Sequence, residues 1–331
     1  MAGQDWQYWT KTFISGGIAG MTSKTTVAPL DRIKILMQVH NSHYKNFGVF
    51  SGLYAIIRQE SFLSLYKGNG AQMVRVFPYA AFQFMSFEIY KKLLNQITFV
   101  ANNEGKVNHK LKFVAGSMAG VTSVLMTYPL DLVRARLASV VTPNASVVTL
   151  ASDTMAIKAP STIQGTIMHV FRNEGGFAGL YRGITPTILA MIPYGGCNFY
   201  MFERLKHWCV QYAPTTTCYR TADDPDKWIL NIPSKLLCGG LSGAIGQTVI
   251  YPLDVARRRM QLSMTSKETA IYSKSFLEAL VITYRSHGIV AGLYRGMSVN
   301  YIRAVPMVSV SFCTYEIMKQ LMGLETGVQS K

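Results

Sequence analysis

The chain has 331 residues, 49% of them hydrophobic and 15% charged, and its mean hydropathy of +0.16 is too apolar for an ordinary soluble protein of this size, which points to a membrane class. Lys and Arg outnumber Asp and Glu by 33 to 17, a formal charge of +16, and the basic residues recur at the ends of apolar stretches; that pattern suits lipid headgroups and an anionic substrate, and it excludes a nucleic-acid face. The five cysteines (Cys197, Cys209, Cys218, Cys238, Cys313) show no CxxC or paired spacing, so neither a zinc site nor a disulfide framework is expected, and His40 and His43 lack the Cys, Asp or Glu partners of a metal site.

The opening MAGQDWQYWTK has an acidic residue, no Arg and no short apolar core. It reads as neither a secretory signal nor a cleavable transit peptide, and targeting information is expected to be internal. An apolar stretch follows, carrying Gly16 and Gly20 and ending in Pro29-Leu-Asp-Arg-Ile-Lys34. Small residues four apart give a helix a flat stripe on which a neighbour packs closely in lipid. Phe50 to Gln59 has apolar residues at helical spacing and is predicted to be an amphipathic helix lying on the membrane surface. Tyr66-Lys-Gly68 then opens a second apolar stretch, which contains Pro78 and closes with Phe87-Glu88-x-x-Lys91.

The same order returns twice. The second copy has Gly116 and Gly120, Pro129-Leu-Asp-Leu-Val-Arg134, an amphipathic stretch from Ile163 to Arg172, Tyr181-Arg-Gly183, Pro193 and Phe202-Glu203-x-x-Lys206. The third has Gly239 and Gly243, Pro252-Leu-Asp-Val-Ala-Arg257, an amphipathic stretch from Ser275 to Arg285, Tyr294-Arg-Gly296, Pro306 and Tyr315-Glu316-x-x-Lys319. Phe113 to Leu130, Gly183 to Phe202 and Leu236 to Leu253 are uncharged over about the 20 residues that a bilayer core demands. Residues 139–160, low in charge and rich in Ser and Thr, read as a flexible surface insertion, and residues 213–228 as a linker between copies. The expected fold is therefore an all-α membrane protein: six transmembrane helices in three pseudo-threefold repeats forming a barrel, short surface helices within each repeat, and both termini on one side. The repeats are placed at residues 1–106, 107–226 and 227–331.

Charge inside a bilayer is costly and usually functional, and the threefold pattern sorts it. Asp31/Lys34, Asp131/Arg134 and Asp254/Arg257 occur in every copy at one membrane face, and Glu88/Lys91, Glu203/Lys206 and Glu316/Lys319 at the other. Six separate helix-surface pairs would be worth only about 0.2–0.5 kcal/mol apiece. Recurrence in register is better explained by two interhelical salt-bridge rings, each closing one side of a central cavity, with the nearby prolines letting helix ends swing. The asymmetric positions point to the ligand. Arg75, Ala190 and Arg303 are equivalent, as are Lys24, Val124 and Gln247. Lys24, Arg75 and Arg303 read as three unpaired cations near mid-membrane, suited to phosphate or carboxylate. Ala190, Met191 and Tyr194 form a small apolar and aromatic wall that could accept a flat base.

These motifs resemble the mitochondrial carrier family (solute carrier family 25) over essentially the whole chain. The resemblance implies a six-helix barrel in the mitochondrial inner membrane with both termini toward the intermembrane space, exchanging solutes by alternately opening two salt-bridge networks. It also implies a monomer and lipid partners such as cardiolipin. Arg75, the Ala190-Met191 pair and Arg303 fall at the family's three substrate-contact positions. Ser23-Lys24-Thr-Thr-Val-Ala-Pro-Leu-Asp-Arg32 is similar to adenine-nucleotide carriers. Tyr44-Lys45 through Gly48-Val49-Phe50, Lys67-Gly-Asn-Gly-Ala71, Glu174-Gly-Gly-Phe177 and Asn300-Tyr-Ile-Arg303 look like the branch of coenzyme A carriers and the Graves disease carrier protein. The expected cargo is coenzyme A or a related nucleotide (dephospho-coenzyme A, ADP, AMP). The alternatives are an ADP/ATP-type carrier and a proton or anion leak.

Some positions depart from the family pattern. Leu36 stands where Arg136 and Arg259 keep a basic residue, Ala138 stands where Gln38 and Gln261 provide a glutamine brace, Ser61 replaces a glycine, and His287 replaces an acid. A weaker network on one side is expected. Paired catalytic carboxylates, an activated nucleophile and a phosphate-cradling glycine loop are all missing from the sequence, so no enzyme and no cofactor are expected.

Overall fold

In the computed structural model the described residues are 2–39, 48–102, 109–141, 162–221, 224–265, 269–273 and 275–324. Six long helices dominate: α1 (Ala2–Gln38), α3 (Asn69–Asn102), α4 (His109–Ser139), α7 (Ile184–Tyr212), α9 (Ile232–Gln261) and α11 (Met297–Leu321). Between the long helices of each repeat lies a surface helix: α2 (Val49–Gln59), α5 (Ile163–Asn173) and α10 (Phe276–His287). These are the three stretches that the apolar spacing marks as amphipathic. The short helix α6 (Phe177–Leu180) precedes α7. The linker after α7 is not plain coil, because a turn of helix, α8 (Pro214–Thr217), leads into an antiparallel hairpin of β1 (Cys218–Thr221) and β2 (Asp224–Leu230). That hairpin departs from the all-α expectation. The insertion lies outside the described residues beyond 141, as do His40 and His43.

The closest packing runs between repeats: α3 lies along α4, α7 along α9, and α11 returns to α1, whereas the two long helices within a repeat touch more lightly. The surface helices pack on the ends of α1, α4 and α9. Ala55 and Ile56 meet Ile33, Leu36 and Met37; Val170 meets Leu132; Ala279 meets Met260. Leu36 is 1% exposed in the first of these clusters, so the position that departs from the family pattern is an apolar packing site here.

The Tyr-x-Gly lines have a specific steric task. Gly68, Gly183 and Gly296 all take positive φ, at 84°, 83° and 80°. A Cβ on Gly68 would lie 2.7 Å from the carbonyl oxygen of Arg134, one on Gly183 3.0 Å from the Tyr128 hydroxyl and 3.1 Å from the Arg257 carbonyl oxygen, and one on Gly296 3.2 Å from the Tyr251 hydroxyl, with the Lys34 carbonyl oxygen at an ordinary 3.7 Å. Each glycine thus turns the chain into its second long helix against the gate helix of the next repeat, and only glycine meets both the dihedral and the space there.

The GxxxG stripes are only partly packed. A Cβ at Gly20 would meet Val76 at 3.4 Å, one at Gly116 Phe87 at 3.9 Å and one at Gly120 Met191 at 3.2 Å, whereas one at Gly16, Gly239 or Gly243 would meet nothing within 4 Å among the described residues, and Gly17, outside the motif, lies closest of all, against Phe77. The stripe of the second repeat is therefore packed, that of the first is packed at Gly20 only, and that of the third is bare. Large apolar side chains remain exposed along the outer faces of the long helices, among them Phe84, Ile192, Phe199, Leu237, Val305 and Phe312. Many charged and polar groups are buried inside, the reverse of a soluble domain. Among the described residues one helix, Pro233–Gln261, is long and apolar enough to cross a membrane by length and composition alone. Gly, Ser, Thr and Pro dilute 113–130 and 183–202, and α1, α3 and α11 carry inward charge such as Lys24, Arg75 and Arg303.

Candidate functional site

The carboxylates and bases of the Pro-x-Asp-x-x-Lys/Arg lines face one another across the repeats. Asp31 of α1 pairs with Arg134 of α4 at 2.5 Å, Asp131 of α4 with Arg257 of α9 at 2.5 Å, and Asp254 of α9 with Lys34 of α1 at 3.5 Å. Each acid reaches the base of the next repeat, so three ion pairs join α1, α4 and α9 in a closed circuit. The i, i+3 pairing within a helix is not what forms. Of the glutamines, Gln38 donates to the Tyr251 hydroxyl at 3.2 Å, while Gln261 donates to Asp131 at 3.0 Å and to the Tyr128 hydroxyl at 3.1 Å.

The second set of charges stays apart. Lys91 lies 3.5 Å from Glu88 on its own helix, with both side chains well exposed. Among the described residues Glu203, Lys206, Glu316 and Lys319 form no ion pair, and Lys319 instead sits over the Tyr315 ring at 4.8 Å. The molecule is therefore tied together at one end and open at the other.

Above the closed ring lies a cavity of about 560 Å³, lined by Lys24, Arg75, Ala190, Met191, Tyr194 and Arg303 together with the ring residues and Arg258. All six residues expected to meet the ligand are therefore together. The expectation of three unpaired cations needs correction. Arg75 donates to Asp131 at 2.7 Å and to Thr127 at 3.2 Å, and Arg303 bonds to Asp31. Sequence spacing missed this because the partners are 56 and 272 residues away. Lys24 alone of the three makes no ion pair among the described residues, and its ammonium lies 3.4 Å from the weakly accepting sulfur of Met307.

Two contributors carried no sequence signal. Arg258 reaches Asp131 at 3.5 Å and Gln261 at 2.7 Å, and it stands where the other repeats have Ile35 and Ala135. Tyr79 stacks beneath the Arg75 guanidinium at 5.3 Å. The symmetry is broken once more in repeat two. Ala190 offers no cation to Asp254, which takes a hydrogen bond from Gln247 of its own helix at 3.1 Å instead.

A second arginine circuit lies below the first. Arg136 donates to the Gln261 carbonyl at 3.2 Å and Arg259 to the Gln38 carbonyl at 3.3 Å. In repeat one Arg32 donates to the Ala138 carbonyl at 3.2 Å. Each guanidinium thus caps the carboxyl end of the next repeat's helix, where the dipole favours a cation. Arg32, one turn before Leu36, takes the role that the family pattern gives to the later position. Arg32 is held by Glu60, with neither side chain exposed, and Lys67 adds a second cation at 2.5 Å. Arg136 is held by Glu174, beside Arg182. In repeat three, where His287 replaces the acid, Arg259 donates to the Tyr272 hydroxyl at 2.6 Å, and its Nη2 is buried without a hydrogen bond among the described residues. In this second circuit Arg259 of repeat three is thus the arginine without a carboxylate partner among the described residues.

Glu60 makes a testable contribution. Burial alone would raise its pKa, but the Lys67 hydrogen bond and the Arg32 charge outweigh burial and hold it below the usual carboxylate range. A depressed carboxylate stabilises fully above its unfolded pKa, and that stabilisation is lost as pH falls through the folded value. Glu60→Gln, which keeps the shape and leaves Arg32 buried without its counter-charge, should cost about 3–5 kcal/mol. Thermal unfolding in detergent at neutral pH reads that loss, and the gap from wild type should narrow on acidification.

A threefold bundle with an inward-facing cavity over an ion-pair ring defines a membrane transport protein, and its repeats match a known pattern. A profile described as "Mitochondrial carrier protein" fits residues 5–98, 106–213 and 230–326, once per repeat, and the chain belongs to that family. It is 48% identical over 323 residues to "Solute carrier family 25 member 16" of Bos taurus, covering 96% of this chain and 90% of the relative. The Homo sapiens protein of the same description is likewise 48% identical over the same shares. "Mitochondrial carrier protein CoAc1" of Arabidopsis thaliana is 37% identical over 327 residues, 97% of this chain and 92% of the relative. Members of the family are transporters, not enzymes, and sit in the mitochondrial inner membrane.

Proposed function

We propose that this chain exchanges coenzyme A, or a related adenine-containing nucleotide such as dephospho-coenzyme A, ADP or AMP, across the inner membrane. In this reading the six long helices form a barrel of transmembrane spans, with apolar outer faces toward lipid and surface helices at one membrane face. The repeats divide at 1–106, 107–226 and 227–331 in this reading. Both termini face the intermembrane space, toward which the cavity is open.

The observation that carries the cargo class is the charge of the cavity. Its lining holds seven bases (Lys24, Lys34, Arg75, Arg134, Arg257, Arg258, Arg303) against three acids (Asp31, Asp131, Asp254), a surplus of four positive charges that an anion with several ionised groups would balance. Ala190, Met191 and Tyr194 give a wall without charge for the flat base.

The pairing of Arg75 and Arg303 links binding to opening. A phosphate that engages these arginines competes with Asp131 and Asp31 for the same guanidinium donors, and so loosens two of the three nodes of the closed ring. Ground-state contacts given up by the gate thus become contacts to the substrate. When the far end closes, Glu88, Glu203 and Glu316 would meet Lys206, Lys319 and Lys91 across the repeats, and the bare glycines Gly16, Gly239 and Gly243 would receive neighbouring helices.

Protein reconstituted in liposomes should take up labelled coenzyme A only when a counter-substrate is inside. Uptake of no adenine-containing nucleotide, or a membrane current without counter-exchange, would overturn the proposal; exchange of ADP and ATP but not coenzyme A would shift it to the ADP/ATP type. Lys24→Ala removes one charge-assisted contact, so the half-saturating substrate concentration should rise about 10- to 100-fold, read from the concentration dependence of uptake.

A further inference from the structure

Three cysteines with no motif spacing meet at one end of the seam between α7 and α9. Cys209 is in the last turn of α7, Cys238 in the second turn of α9, and Cys218 begins β1. The Sγ atoms of Cys209 and Cys238 are 3.6 Å apart, in van der Waals contact, and all the cysteines are free thiols. Cys218 and Cys238 are buried with Leu230, and Phe202, Leu205 and Val210 pack against them. Cys209 is only half-buried, and it lines a separate apolar cavity of about 580 Å³ with Leu205, Trp208, Tyr212 and Ala213. One thiol is therefore reachable from outside, and its neighbour is sheltered but in contact with it.

We propose that Cys209 and Cys238 form a dithiol modification site which a small apolar disulfide converts into a covalent tie between repeats two and three. The Cys209 thiolate attacks the reagent disulfide, forming a mixed disulfide and releasing one thiol. The Cys238 thiolate then attacks the Cys209 sulfur and expels the second. Two protein thiols are oxidised to one disulfide, the reagent is reduced to two thiols, and the protons of the protein thiols go to the released ones. A bond of about 2.05 Å needs the sulfurs to close by about 1.5 Å, a side-chain rotation.

Cys209 lies one turn past Lys206 on α7, at the end where the outer charges stand apart. A tie from there to α9 fixes a seam between two repeats that must shift when that end closes, so the oxidised protein should stop exchanging. The arrest rests on the exchange reading above; the thiol chemistry does not, and it is measured separately.

The full chain carrying Cys197→Ser and Cys313→Ser, purified in detergent, is treated with dithiodipyridine, an uncharged aromatic disulfide. Release of two thiopyridones per chain, an intact mass lower by two hydrogens and a Cys209–Cys238 peptide are expected. In Cys238→Ser, one thiopyridone should be released and the adduct should remain on Cys209. A stable adduct on Cys209 with Cys238 intact, or a bond through Cys218, would overturn the pairing. In liposomes, oxidation should lower exchange more than tenfold, reversibly with reductant, and Cys238→Ser should resist; unchanged exchange in the cross-linked protein would overturn the arrest.

Discussion

Arg303→Ala is expected to lower nucleotide exchange by at least about 100-fold while the protein remains folded. A guanidinium that forms two charge-assisted hydrogen bonds to a phosphate contributes about 1.5–3 kcal/mol for each, and 100-fold corresponds to about 2.7 kcal/mol. The fold should survive because Asp31, which loses Arg303, keeps Arg134 at 2.5 Å, so no carboxylate is left buried without a cation. Arg303→Lys keeps the charge but not the fork and should retain partial exchange. Arg75→Ala should behave in the same way, because Asp131 keeps Arg257 and Gln261. Liposome uptake gives the transport arm and thermal unfolding in detergent the stability arm. Exchange within threefold of wild type in both alanine variants would remove these arginines from the site.

The architecture was legible because it is written three times. Glycine, proline, tyrosine and paired charges at fixed offsets identify equivalent positions without any contact being known, and α2, α5 and α10 follow from apolar spacing. The linkage of those positions was harder to read. Which acid meets which base depends on how repeats sit side by side, and the answer, each Asp to the base of the next repeat, is a property of packing. The same blindness made Arg75 and Arg303 look unpaired, since their partners lie on other repeats. Leu36 misled in a different way: its position predicted a missing arginine, but Arg32 reaches the same helix end from one turn earlier. Cys209 and Cys238 lie 29 residues apart, with no spacing rule to join them. The glycine stripes show the opposite limit, since they mark surfaces able to pack closely, and while Gly20, Gly116 and Gly120 meet a neighbouring helix, Gly16, Gly239 and Gly243 meet nothing within 4 Å among the described residues.

Asp131→Asn should produce the largest loss of stability of any ring substitution. Asp131 is 1% exposed and receives Arg75 at 2.7 Å, Arg257 at 2.5 Å, Arg258 at 3.5 Å and Gln261 at 3.0 Å. An amide of the same shape removes the one negative charge among three guanidinium groups, and its NH₂ turns a donor toward donors. Breaking one buried pair costs about 3–5 kcal/mol, and here three cations lose their counter-charge at once. Asp31 serves Arg134 and Arg303, so Asp31→Asn should cost less. Asp254 serves Lys34 at 3.5 Å and Gln247 at 3.1 Å and is 22% exposed in its side chain, so Asp254→Asn should cost least. The order of thermal midpoints in detergent, Asp131→Asn below Asp31→Asn below Asp254→Asn, tests the asymmetry directly, because a symmetric ring would give three equal shifts. Coupling sharpens the test: in an Arg75→Ala background, Asp131→Asn should cost less than it does alone, since one of the stranded cations is already gone. Equal costs in the two backgrounds would mean that Arg75 and Asp131 do not act on each other, and the route by which an anion at Arg75 loosens the gate would be lost.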